Sequence, residues 1–224
     1  LLELCEMNFD VNGVNIYNKI LPKDINNILH KRLLGHARWN VVTDNLPIDV
    51  FQQVHGGTDA GSIICSYRDK NSDSIRVESE WIYIDDDFDD PLMRDLNFYA
   101  ELIGMLVLDR SIVAREYIRS QAFKEVHTKR YFWNYYHSNS IGLEHTDITE
   151  PDHWSIIYYL NDNPDTGTRI IKPDGTEIIS PQVAGDAVLF PSHWVHNGIS
   201  PKGNTHRCCL NILFKAKYCF DDKI

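Results

Sequence analysis

Several features that assign a protein at sight are missing from this chain. It has no internal repeat and no low-complexity stretch. No GxSxG elbow, phosphate-binding loop or dinucleotide fingerprint occurs. No apolar run reaches membrane-spanning length, because Ile103–Leu108 is cut off by Asp109 and Arg110. The five cysteines (Cys5, Cys65, Cys208, Cys209 and Cys219) are odd in number and lack CxxC spacing. Reduced thiols are therefore expected rather than a disulfide framework. The acidic run Asp85–Pro91 lacks the Gly and the terminal Glu of a calcium loop, and reads as a solvated loop before a helix. Basic charge is also short, with 22 Lys and Arg against 32 Asp and Glu and a net charge of -10. A chain of that sign has no general attraction to phosphate backbones, so nucleic acid is not an expected partner. Leu1–Glu6 carry neither the basic stretch nor the apolar core of a secretion signal, and the expected location is cytoplasmic.

What is present is ordinary globular material: 224 residues, 43% hydrophobic and 24% charged. That is enough chain to bury one core without metal or disulfide staples. Two regions differ in pattern. Residues 1–125 read as a mixed helical extension packing on the core. Pro22-Lys23-Asp24 opens a helix with apolar positions Ile25, Ile28, Leu29 and Leu33, closing at Gly35. Short strands are expected at Trp39–Val42, Ile63–Tyr67 and Ile75–Ile84. Asn45–Arg68, with Gly56, Gly57 and Gly61, is a candidate lid. A second helix is expected from Pro91 to about Arg119. From residue 126 to 224 the pattern is strand after strand: Thr128–Tyr136, Trp154–Leu160, Thr168–Lys172, Thr176–Ile179, Ala187–Phe190, Val195–Gly198 and Arg207–Phe214. Short strands at this spacing mean a sandwich or barrel, so the chain is expected to be mainly β with supporting helices.

One constellation carries chemistry. In an extended segment, residues two apart share a face, so His145 and Asp147 can aim at one point. His196 supplies a second imidazole. Two His and one carboxylate on one face of an octahedral ion are the ligand set of non-haem Fe(II) oxygenases, which leaves positions open for co-substrate and O2. With ten histidines in the chain, His-x-Asp alone is weak. Arg207 lies eleven residues after His196, at the head of the apolar strand 207–214. A guanidinium entering a barrel strand calls for an anion, and a carboxylate suits its planar fork. Glu144 neighbours His145 but is expected to point away from it. His193 is not an expected ligand, since a fourth protein ligand would close a needed position.

Together these pieces resemble the 2-oxoglutarate/Fe(II)-dependent dioxygenases, in their prolyl 4-hydroxylase-like branch. The resemblance runs from about Tyr131 to Phe214. It includes His145-Thr146-Asp147, the strand Ile156–Asn161, the turn Val183-Ala184-Gly185-Asp186 running on to His196, and Arg207 leading into Leu210-Asn211. It implies a double-stranded β-helix (jelly roll, cupin-like) with Fe(II) held by His145, Asp147 and His196. It further implies 2-oxoglutarate anchored by Arg207, O2 as oxidant, and ascorbate as a candidate stimulant. Tyr135, ten residues before His145, and Tyr159 match co-substrate positions, with ordinary aromatic core as the alternative. Ser155 shares the expected face of Tyr159, and Asn211 that of Arg207, which makes both further candidate contacts of the co-substrate. The implied reaction is hydroxylation of a peptidyl or free amino acid, proline among the options, with release of succinate and CO2. The partner is then a small-molecule or peptide substrate and no membrane. Where relatives carry a Gly-Gly pair before Thr, only Gly167 remains. Trp133, Trp154 and Trp194 are bulky residues near the expected site, where they narrow it or stack a substrate ring, with core or rim packing the preferred reading. A non-catalytic cupin-like module, or a zinc-type hydrolase built on the same three residues, stays open.

Overall fold

β-Branched and aromatic residues dominate the second half of the chain, and that is where the sheets lie. The computed structural model describes residues 13–36, 40–41, 63–68, 91–110, 127–136, 142–151 and 153–215. Its elements are β1 (Asn15–Tyr17), α1 (Lys23–His36), β2 (Asn40–Val41), β3 (Ile63–Arg68), α2 (Pro91–Arg110), β4 (His127–Tyr136) and β5 (His153–Tyr159). They continue with β6 (Asn163–Ile171), β7 (Glu177–Gln182), β8 (Ala187–Pro191), β9 (Val195–Ile199) and β10 (Arg207–Lys215). The expected strand 75–84, the acidic loop 85–90, the helix beyond Arg110 and the lid residues 45–62 fall outside the described residues. Residues 63–68 belong to a strand, not a loop.

Two antiparallel sheets face each other. The larger has the order β1-β8-β5-β10-β4-β3-β2, the smaller β7-β6-β9. β5 is buried along its whole length, because the larger sheet is covered on both faces. On the outer face Trp133, Trp154, Ile156, Tyr158 and Leu210 pack against Leu29 and Leu33 of α1 and Leu96, Ala100 and Ile103 of α2. On the inner face Tyr136, Ile157, Tyr159, Val188, Phe190 and Cys209 meet Ile170 of the smaller sheet. Trp133 and Trp154 thus belong to the helix-facing core, in line with the packing reading, and of the three Trp194 lies in the inner cluster. Ile28 of α1 is exposed rather than part of its apolar face. No helix among the described residues is long and apolar enough to cross a membrane.

The segment between β1 and α1 is pinned to the core by one buried carboxylate. Asp186 accepts the Lys19 backbone N–H at 3.0 Å and the Asn18 side-chain amide at 2.8 Å. Gly185, with φ of 89°, makes the turn that puts Asp186 there, and its carbonyl accepts the Ile20 N–H at 2.7 Å. Tyr158 donates to Asn26 at 2.5 Å and fixes α1 from the other side. Behind the head of β10, His206 stacks between His30 of α1 and Tyr135 of β4, with ring centroids 5.6 Å and 5.3 Å away. Neither Nε2 of the two histidines has a hydrogen-bond partner among the described residues.

Two predictions follow from these contacts. Asp186→Ala strands a backbone N–H and an amide at the β1–α1 junction, and is expected to cost about 2 kcal/mol by urea denaturation. Burial holds His30 and His206 below the ordinary 6.5, and repulsion from His206 adds to the effect at His30. The folded chain therefore binds fewer protons than the unfolded chain at acid pH. Stability should be complete above about pH 6.5 and should fall as the pH drops below it. The urea midpoint measured from about pH 7.5 to 5.5 checks this, and His206→Phe should flatten the slope.

Candidate functional site

The segment carrying His145 is not a strand but a single rung laid on the edge of the smaller sheet. His145 N–H donates to His196 O at 3.0 Å, and His196 N–H donates to His145 O at 2.9 Å. That reciprocal pair brings the two imidazoles to 4.5 Å between centroids. The segment must approach β9 closely to form it. A Cβ on Gly142 would fall 1.8 Å from the Gly198 carbonyl oxygen, so only glycine fits there. Asp147 follows, with its N–H on the Ser192 carbonyl at 3.0 Å.

One ligand atom from each of His145, Asp147 and His196 lies within 4.8 Å of the others. Asp147 and His196 are buried, and His196 Nε2 lies 3.6 Å from Asp147 Oδ2. Each imidazole turns Nδ1 to a backbone carbonyl, His145 to Leu143 at 2.7 Å and His196 to Trp194 at 2.9 Å. A proton on Nδ1 leaves the Nε2 lone pair facing the Asp147 carboxylate, which is how metal-binding histidines are usually oriented. Ser155 Oγ donates to Asp147 Oδ2 at 2.6 Å and lies 3.0 Å from the Ser192 hydroxyl. The donor set, two neutral imidazoles and a carboxylate, fits a divalent iron-type ion.

A second cluster sits on the inner face beyond it. Arg207 is 2% exposed, its Nη2 donating to Thr168 Oγ1 at 3.1 Å and its Cζ lying 4.5 Å above the Tyr136 ring. The Tyr159 hydroxyl lies 2.8 Å from the same Thr168 oxygen and 3.2 Å from Ser180 O. Burial raises the Tyr159 pKa, partly opposed by Arg207 and by these hydrogen bonds, so the phenol stays a donor. The guanidinium is held in one orientation facing the space between the sheets.

The structure sorts the expected residues. His145, Asp147 and His196 come together, and Arg207 and Tyr159 form the second cluster. Tyr135 is a correction. It pairs with Cys208 and stacks on His206 on the helix side, while Tyr136, opposite Arg207, takes the inner position. Ser155 lies on the face of Tyr159 as expected, and there its hydroxyl donates to Asp147. Asn211 is on the inner face with Cys209 and Arg207, opposite Ile157. Glu144 is exposed and pairs with Arg169, which also pairs with Glu177. His193 is outside the ligand group. Thr168, Tyr136 and Ser192 are the residues that sequence reasoning missed. For Thr168 the signal was its place after Gly167 in the expected Gly-Thr position. For Tyr136 there was none, because adjacent tyrosines cannot be told apart without the register.

No family model matches the sequence, and no curated protein sequence matches it. Solved structures do. A prolyl-4-hydroxylase from Pseudomonas putida is 18% identical, with 92% of this chain and 94% of that chain covered and a TM-score of 0.55. A prolyl hydroxylase from Trichoplax adhaerens, in complex with a hypoxia inducible factor oxygen degradation domain peptide fragment, is 12% identical over 92% and 84%, with a TM-score of 0.55. HygX from Streptomyces hygroscopicus, solved with nickel, 2-oxoglutarate and hygromycin B bound, is 10% identical over 93% and 85%, with a TM-score of 0.52. The two facing sheets of this chain are thus the double-stranded β-helix that these oxygenases share.

Proposed function

We propose that the protein is an Fe(II)- and 2-oxoglutarate-dependent oxygenase that hydroxylates a peptide or a small molecule. One observation carries the reading: a two-His-one-Asp site, with Asp147 and His196 buried and His145 half-buried, and a buried arginine face the same space inside one double-stranded β-helix. Neither cluster alone selects this chemistry. A cupin-like binding module has no use for the arginine. A zinc hydrolase needs a base beside the metal, and Glu144 is turned out to Arg169.

Iron with 2-oxoglutarate and O2 supplies the oxidation: R–H + 2-oxoglutarate + O2 gives R–OH + succinate + CO2. The chain's residues do the rest. His145 and His196 offer Nε2, with Nδ1 tied to backbone carbonyls. Asp147 offers its carboxylate, with Ser155 steadying one oxygen and Ser192 steadying Ser155. Among the described residues three protein groups would hold the ion, a ligand count that suits a metal which must also take the 2-oxo acid and O2. Arg207 takes the far carboxylate of the 2-oxo acid, with the Thr168 and Tyr159 hydroxyls beside it. Phe190, its ring 4.7 Å from that of His196, and Trp194, Ile157 and Val188 keep water from the space between. The substrate class, a peptidyl or free amino acid, is supported by the peptide bound to the Trichoplax relative.

The first test is an anaerobic titration of the apo-protein with Fe(II) and then 2-oxoglutarate. The expected result is a weak visible charge-transfer band that His196→Ala abolishes. Arg207→Ala should raise the 2-oxoglutarate dissociation constant by about ten- to a hundredfold and leave metal affinity unchanged. A folded protein that binds metal but shows no band rejects the oxygenase. Ser155→Ala removes the support of Asp147 and should weaken metal binding by about ten- to a hundredfold, read by competition with a chelating dye.

A further inference from the structure

Two side chains on the inner wall are not among the partners of Asp147 or Arg207, although the sequence makes Asn211 a candidate co-substrate contact. Asn134 of β4 is 1% exposed, and Asn211 of β10 is half-buried. The register places Asn134 opposite Cys209 and Asn211 opposite Phe132, so the two are diagonal neighbours on adjacent strands, both on the face of Tyr136 and Arg207. Asn211 is also opposite Ile157, one pair along β5 from Ser155, which holds Asp147. The two carboxamides therefore stand along the wall that leads from Arg207 to the metal ligands. Neither Oδ1 finds a hydrogen-bond donor among the described residues.

A buried carboxamide oxygen is disfavoured unless water or a ligand supplies a donor, and water is displaced from this space when substrate fills it. The co-substrate cannot, because at neutral pH 2-oxoglutarate carries acceptors only, and O2 carries no donor either. An ammonium group is a poor fit, since Arg207 shares this face and the Asp147 carboxylate that reaches it from outside the strands belongs to the metal-ligand group. What remains is a neutral donor on the molecule to be oxidised. Each carboxamide also carries an NH2, so the group that answers both of its functions has an N–H and a C=O side by side. We propose that Asn134 and Asn211 are specificity-determining residues that bind an uncharged amide group of the substrate. This rests on the oxygenase reading and adds the class of group that the site selects.

The experiment uses the full chain loaded anaerobically with Fe(II) and 2-oxoglutarate, so that the charge-transfer band is in hand before any substrate probe is added. A missing band at that stage fails the oxygenase reading, and this proposal with it. With the band present, the probes are N-acetyl amino-acid amides and their 2-acetoxy methyl-ester counterparts, which keep shape and carbonyls but lose every N–H. At least one amide should perturb the band and stimulate succinate formation at a concentration about tenfold below that of its ester. Asn134→Leu and Asn211→Leu should keep the band and the 2-oxoglutarate affinity and shrink that preference to about threefold or less. They should also melt at higher temperature than wild type, because an unpaired polar group has gone, whereas a purely structural asparagine would give the opposite sign. Asn134→Ala serves where the leucine variant loses the band. Equal response to amides and esters, a preference that survives both variants, or silence of every amide overturns the proposal.

Discussion

The reciprocal backbone pair between His145 and His196 is the constraint on which the site depends. Two N–H···O=C bonds bring residues 51 positions apart into register and turn their imidazoles to the same side. Everything needed to make the bond pair is local and steric. Gly142 has no Cβ because the Gly198 carbonyl occupies that place, and Asp147 is set by a third backbone bond, to Ser192. A metal site on a loop would have three independently mobile ligands, and ordering them would cost binding energy. Here two ligands belong to one rung of a sheet. The third is steadied by a hydroxyl from the opposite sheet, so the larger sheet orients what the smaller one holds.

Strand parity does the same work for the second cluster. Arg207, Cys208 and Cys209 are consecutive, yet Cys208 lies among the helix-facing residues and Cys209 between the sheets. A one-residue slip of β10 would send Arg207 out to the helices and bring His206 in. The slip is resisted on both faces, because β10 is paired to β4 and β5 along its length and both of its faces are covered. The stack of His30, His206 and Tyr135 occupies the outer face at the level where Arg207 occupies the inner one. The packing of α1 therefore bears on the guanidinium through the strand between them.

The sequence was legible where chemistry and periodicity agree. His-x-Asp, the later His and the Arg at a strand head were visible as residue types at fixed order, and the strands after residue 126 were visible as short apolar runs. Helix α1 was legible too, except for Ile28, whose apolar character says nothing of what lies opposite it. Choices of parity were not legible. Tyr135 and Tyr136 are equivalent to any pattern, and only the partner strand decides which faces inward. Ser155 was placed on the correct face, but its role depends on Asp147 reaching across from another element, a contact made over eight residues and between sheets. For Trp133 and Trp154 the sequence left core and rim open, and the structure puts them in the core, because the helices cover the outer face and demand large apolar side chains there.

The N-terminal part of the chain is more than a cover for the sheet. β1 adds to the edge of β8, and the residues after it, Asn18 and Lys19, close on the Asp186 carboxylate. The same turn holds β5: Gly185 N–H donates to Tyr159 O at 2.8 Å, and Tyr159 N–H donates to Asp186 O at 2.9 Å. The Tyr159 hydroxyl in turn shares Thr168 with Arg207. A continuous chain of short hydrogen bonds thus runs from residue 18 at the surface to the buried guanidinium. The head of α1 and the Arg207 cluster are set by one turn, and a change at either end shifts the same tyrosine. That coupling gives a physical reason for the early strand and helix to accompany the β-helix: without them the Gly-Asp turn would have a buried carboxylate with no donors, and Tyr159 would lose its fixed height in the wall.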